Sequence, residues 1–122
     1  MQRTFAVLGA LSAALGVMAG AFAAHGLRGR ITADLLAVFE TGARYQMYHA
    51  LGLLAVAWAL DRWSGSAAAV AGWLFVAGTV LFSGSLYLLA LGSPSWLGAV
   101  TPVGGLCFIG GWAVLAWVAA RG

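Results

Sequence analysis

The sequence predicts an all-α membrane protein, a four-transmembrane-helix bundle with a short amphipathic helix between spans one and two. Three observations predict it. Of 122 residues, 63% are hydrophobic and only 7% charged, more apolar surface than a soluble domain of that length keeps in solution. Apolar runs recur at the length of roughly 20 residues that a helix needs to cross a hydrocarbon core of about 30 Å. Polar side chains gather in short stretches between those runs and at the head of one of them. The chain reads as one integral membrane domain, 1–122, with no internal boundary and no repeat.

Span one is expected at 5–24. "MQRT" followed by "FAVLGALSAALGVMAG" and "AFA" imitates a secretory signal with an A-x-A cleavage site, but the run is long enough to cross, and it is read as the first span. The loop 26–42 holds "TADLLAVFE", in which Thr32 can cap a helix and Leu35, Leu36 and Phe39 make an apolar edge. That segment is expected to lie in the interface and run into span two.

Span two, expected at 43–60, carries the most information. Counted back from Asp61, its purely apolar part, 50–60, covers only about half a membrane at 1.5 Å per residue. A full crossing must therefore borrow "ARYQMYH" (43–49). With Trp58 and Trp63 at one interface, His49 falls near the midplane, and Gln46, Tyr45 and Arg44 lie between it and the far surface.

Spans three and four are expected at 67–91 and 102–120. Thr101 suits the N-cap of the fourth and Pro102 its first turn. Ser93-Pro94 repeats that pairing upstream and predicts a short interfacial turn holding Trp96 at the headgroups.

Successive spans alternate in direction, so the remaining polar side chains can be put on one depth scale. Ser83, Ser85, Tyr87, Thr101 and His25 then fall with the span-two cluster in the far half of the bilayer, while the near half holds mainly Ala, Val, Leu and Trp. Arg3, Arg62, Arg121 and the α-amino group lie on the near side, against Arg28 and Arg30 on the far side once Arg44 is counted as intramembrane. The positive-inside rule then places both termini in the cytoplasm, for a multi-pass protein of the cell membrane. The net charge of +3 comes from six scattered Arg, which exclude a nucleic-acid surface. Cys107 stands alone, so no intrachain disulfide can form.

At 100° per residue Glu40, Arg44 and Tyr48 share one face of the second helix, with Tyr45 and His49 beside it and Leu36, Phe39, Ala43 and Met47 opposite. The apolar side suits lipid and the polar side does not. An Arg at mid-membrane costs about 2.5–3.5 kcal/mol on the insertion scale, so Arg44 should snorkel outward or pair with Glu40 one turn before it. The candidate ligand-binding residues are Arg44, Tyr45, Gln46, Tyr48, His49, Ser83, Ser85, Tyr87, Thr101 and His25. Each has a plainer reading. His25 before Gly26 can cap span one, the tyrosines can be belt residues, and the hydroxyls can bond their own helix. His49 and Gln46 are hardest to explain away, being deep and in need of partners.

Small residues supply a further pattern: Gly9, Ala13, Gly16, Gly20 and Ala24 form a stripe on span one, and Gly104, Gly105, Gly110 and Gly111 lie on span four. Such faces let helices approach closely, within the bundle or between copies of a homo-oligomer.

Four stretches, "GAFAAHGL" (20–27), "ETGARYQMYHALGLL" (40–54), "LFSGSLYLLAL" (81–91) and "TPVGGLCFIGGW" (101–112), together resemble the YgdD/YwdK-like small membrane proteins, a family of unknown function. The resemblance covers nearly the whole chain and implies a four-span integral membrane protein, in bacteria one of the inner membrane, but no reaction. The chain departs from the family pattern at Ala23, where Gly is expected.

Two functions compete. In one, a polar pocket in the outer half of the bilayer binds membrane lipid or a small anionic amphiphile. In the other, the protein is a structural or accessory subunit whose polar cluster only locks helix packing. A haem or metal between His25 and His49 is a remote third, because their depths differ by roughly half a leaflet or more and Glu40 is the only other ligand nearby. No cofactor is therefore expected. No catalytic residues are assigned, since three acidic residues, two of them at loop edges, assemble no nucleophile triad or carboxylate pair.

Overall fold

The computed structural model describes residues 1–122 and is all-helical. Helix α1 (Gln2–Phe22) continues through a π-turn at Ala23–Leu27. Helix α2 runs from Ala33 to Arg62. Helix α3 (Ala68–Gly78) passes through a second π-turn, Thr79–Ser83, into α4 (Gly84–Ala90). A 3₁₀ turn at Ser95–Ala99 precedes α5 (Thr101–Arg121). Three of these segments, Gln2–Leu27, Ala68–Ala90 and Ser95–Arg121, are long and apolar enough to cross a membrane. Helix α2 is not among them, because its N-terminal half carries the polar cluster.

The expected interfacial helix does not exist separately. Thr32 does cap, accepting from the Leu35 N–H at 3.2 Å, but the helix it starts continues unbroken for 30 residues. No proline interrupts it, and its first turns are packed rather than free: Phe39 is buried in a small apolar cluster with Ala23, Leu27 and Ala90. This also reverses the expected orientation of α2. The apolar side, with Phe39 and Ala43, faces the rest of the chain, while Glu40, Arg44 and Tyr48 face outward.

Helices α1 and α2 lie antiparallel along their whole length, with contacts running from Gly9 against Ala50, through Ser12 against Gln46, to Phe22 against Phe39. Helix α2 packs in turn on α3 and α4, and α5 packs chiefly on α3, so that α2 and α5 touch only sparsely. Glycine permits the tightest approaches. A Cβ on Gly9 would stand 2.8 Å from the Ala50 carbonyl oxygen, and one on Gly104 would collide with the backbone of Phe82. Gly16 and Gly111 also face helices of the same chain, whereas Gly20 faces nothing.

Beyond α4, Gly92 takes φ +100°, and the bonds Ser93 N–H to Leu88 O (3.0 Å) and Gly92 N–H to Leu89 O (3.3 Å) close a Schellman motif before Pro94. The turn that follows leaves Trp96 exposed. Thr101 is not the N-cap of α5, as expected, but its first residue; Val100 precedes it without a side-chain cap. The main apolar core, built on Phe5, Leu53, Val56, Phe75 and Phe108, lies toward the near end. Between it and the far cluster sit the four buried polar side chains, Gln46, His49, Ser83 and Ser85.

Candidate functional site

The polar residues separate into two groups. The first joins helices. Gln46 is buried where α2 meets α1; its Nε2 donates to the Ser12 carbonyl at 3.0 Å, and its Oε1 accepts from the Tyr87 hydroxyl at 2.6 Å. One side chain thereby ties α1, α2 and α4 together. The Ser83 hydroxyl donates to the Gly42 carbonyl at 2.7 Å, a bond possible because Gly42 has no side chain to hold the π-turn away. Ser85 donates to the Phe82 carbonyl at 3.0 Å, so the Thr101 hydroxyl must be the donor in their 2.5 Å contact. That chain of hydroxyls fastens the start of α5 to α4.

The second group lines a cleft of about 550 Å³ where α2 and α5 fail to close. Tyr45, Tyr48 and His49 contribute from α2, and Phe108, Ile109 and Trp112 from α5, with Gly105 leaving room beside them. His49 is fixed from all sides. Its Nδ1 lies 2.7 Å from the Tyr45 carbonyl, which can only accept, so Nδ1 carries the proton. Nε2 is then the acceptor for the indole N–H of Trp112 at 3.0 Å, and the ring is neutral. Phe108 stacks on it with centroids 3.5 Å apart and planes at 7°, and Phe75 meets it edge-on at 5.3 Å.

Several expectations need correction. Glu40 and Arg44 form no ion pair: both are exposed, and no carboxylate lies within the 4.0 Å that defines a salt bridge. The reversed orientation of α2 turns both outward. Gln46, Ser83, Ser85, Tyr87 and Thr101 do not line the cleft with Tyr45, Tyr48 and His49; they are bonded between helices. His25 sits exposed in the first π-turn, makes no side-chain bond and caps nothing. It is remote from His49, whose Nε2 lone pair is already taken by Trp112, and no three His, Cys, Asp or Glu side chains group as metal ligands.

Trp112 and Phe108 escaped the sequence reading, which ranked only polar residues by depth. A Trp at the middle of an apolar helix is too deep for the headgroup belt, and that was the available signal. The Ser12 and Gly42 carbonyls left none.

The chain belongs to the family described as "Protein of unknown function (DUF423)", which matches residues 19–105. It is 50% identical over 121 residues to the UPF0382 membrane protein YwdK of Bacillus subtilis (strain 168), covering 98% of each chain. It is 49% identical over 114 residues to the UPF0382 membrane protein SSP2132 of Staphylococcus saprophyticus, covering 93% of this chain and 94% of the relative. No solved structure matches it. The chain is a membrane protein of this family.

Proposed function

We propose that the protein is a four-span membrane protein that holds an anionic amphiphile, its acyl chain in the α2/α5 cleft and its phosphate or carboxylate on Arg44. The fourth crossing is α2. It lies along all of α1, and its Gln46 bonds to Ser12, close to the centre of the apolar segment Gln2–Leu27. A helix so placed shares the depth of its neighbour. Both termini then lie on one side, and the balance of Arg3, Arg62 and Arg121 against Arg28 and Arg30 favours the cytoplasm of a bacterial cell whose plasma membrane the protein occupies.

One observation carries the binding reading. Arg44 is exposed, two residues from Gln46 and one turn before Tyr48, with no carboxylate in reach. An unpaired guanidinium within the hydrocarbon is costly, so the long Arg44 side chain extends toward the far surface, where a lipid headgroup supplies the compensating charge. An anion on Arg44 would continue into the aromatic cleft lined by Tyr45 and Tyr48. His49 is walled in by its partners and serves as floor rather than as anion ligand.

Native mass spectrometry on protein reconstituted in nanodiscs of equal phosphatidylglycerol and phosphatidylcholine tests this. The wild type should retain phosphatidylglycerol selectively, and Arg44→Gln should lose that selectivity while remaining folded. Equal retention of the two lipids by the wild type, or undiminished selectivity in Arg44→Gln, overturns it.

A second reading, a structural or accessory subunit, is favoured by a different observation: Gln46, Ser83, Ser85 and His49 are all bonded to another helix or to their own backbone. Under it, Arg44→Gln changes no lipid retention and the protein copurifies with a partner.

A further inference from the structure

Glu40 and Arg44 both lie exposed on the outward side of α2. Four residues apart on one helix, they stand about 6 Å apart along its axis and about 40° apart around it. A Glu one turn N-terminal to a basic residue is the order that pairs most readily on a helix. Here the two do not pair, and no cationic nitrogen comes within 4.0 Å of the Glu40 carboxylate. The face that carries the anion-binding Arg44 therefore also carries an unpaired carboxylate.

Their order along α2 is set by depth. Gln46 bonds to Ser12 close to the centre of Gln2–Leu27, and each residue counted back from it lies about 1.5 Å nearer the far surface. Side chains on a helix lean toward its N-terminus, which here is also the far side. From the bilayer interior outward, α2 thus presents the aromatic cleft of Tyr45, Tyr48 and His49, then the Arg44 guanidinium, then the Glu40 carboxylate. An amphiphile seated with its acyl chain in the cleft and its phosphate on Arg44 places whatever follows the phosphate beside Glu40.

That position is selective. A ligand that ends at its phosphate or carboxylate meets Glu40 as a like charge, which counts against it. A headgroup that continues into a hydrogen-bond donor meets an ionised acceptor instead, and a hydrogen bond to a charged group is roughly twice as strong as a neutral one.

We propose that Glu40 selects the headgroup: the amphiphile held on Arg44 carries, beyond its phosphate, a hydroxyl or a primary ammonium that donates to the Glu40 carboxylate. This rests on the Arg44 reading and narrows its ligand to phospholipids with donor-bearing headgroups.

Native mass spectrometry in nanodiscs tests it with two pairs of lipids of identical acyl chains. Phosphatidylglycerol and phosphatidylmethanol carry the same net charge, and only the first ends in hydroxyls. Phosphatidylethanolamine and phosphatidylcholine are both zwitterions, and only the first has an ammonium that donates. The wild type should prefer the donor-bearing lipid by about five- to tenfold, the effect of one hydrogen bond. A margin in either pair supports the proposal, and the pair that shows it tells a hydroxyl ligand from an ammonium one. Glu40→Ala, at an exposed helical position, should erase the margin yet still retain phosphatidylglycerol over phosphatidylcholine, the preference that belongs to Arg44. No margin in either pair, with phosphatidylglycerol still above phosphatidylcholine, overturns this proposal and leaves the Arg44 reading standing. Equal retention of all four lipids overturns both. A margin unchanged in Glu40→Ala also overturns the role of Glu40.

Discussion

The indole N–H of Trp112 donates to Nε2 of His49 over 3.0 Å, bridging α5 and α2 where these helices otherwise leave a cleft. The bond fixes the imidazole tautomer and sets the ring flat against Phe108.

Trp112→Phe keeps an aromatic ring at the position but strands a buried acceptor. It should lower stability by about 1 kcal/mol, at the low end for an orphaned polar group. The check is denaturant unfolding in micelles followed by circular dichroism. Because His49→Leu removes the group left unpaired, the double variant should lose less than the sum of the single losses; strict additivity contradicts the bridge.

The Gln46–Tyr87 bond is short, 2.6 Å, and Gln46 is buried. Hydrogen bonds between membrane helices are worth about 0.6 kcal/mol on average and reach about 1.7. A double-mutant cycle of Gln46→Leu and Tyr87→Phe should return a coupling in that range. Gln46→Leu alone should cost more than Tyr87→Phe, since it also frees the Ser12 carbonyl.

Gly104→Ala drives a methyl into the backbone of Phe82 at the π-turn, and backbone cannot swing aside. A loss of about 1–3 kcal/mol is expected, the range for overpacking. Gly20→Ala meets no atom within 4 Å and should be neutral or add about 0.5–1 kcal/mol through helix propensity. Equal effects at the two sites contradict the packing described.

If α2 crosses the bilayer, its ends face opposite sides. In a Cys107→Ala background, Asp34→Cys and Arg62→Cys, in the first and last turns of α2, should react with a membrane-impermeant maleimide from opposite faces of intact vesicles, and epitope tags on the two termini should report the same face. Labelling of both cysteines from one face eliminates the fourth span.

The corrections share a physical origin. The glycine stripe of span one correctly signalled close helix approach, and Gly9 and Gly16 do face α2. Because α2 presents Gly42, Ala43, Ala50 and Leu53 to the chain, its polar face had to turn outward, carrying Arg44 away from the interior. Sequence spacing put Glu40 and Arg44 one turn apart but carried no information on whether their side chains converge.

The sequence alone determined the membrane class, the existence of the three most apolar segments and the Thr32 cap, because hydropathy and capping chemistry are local properties that survive any tertiary arrangement. Only the tertiary structure decided which partner each polar group takes. Gln46 finds the carbonyl of Ser12 and Ser83 that of Gly42. Every residue carries a carbonyl, so the choice rests on the rotation and sliding of packed helices, and these are set by contacts between residues far apart in the chain.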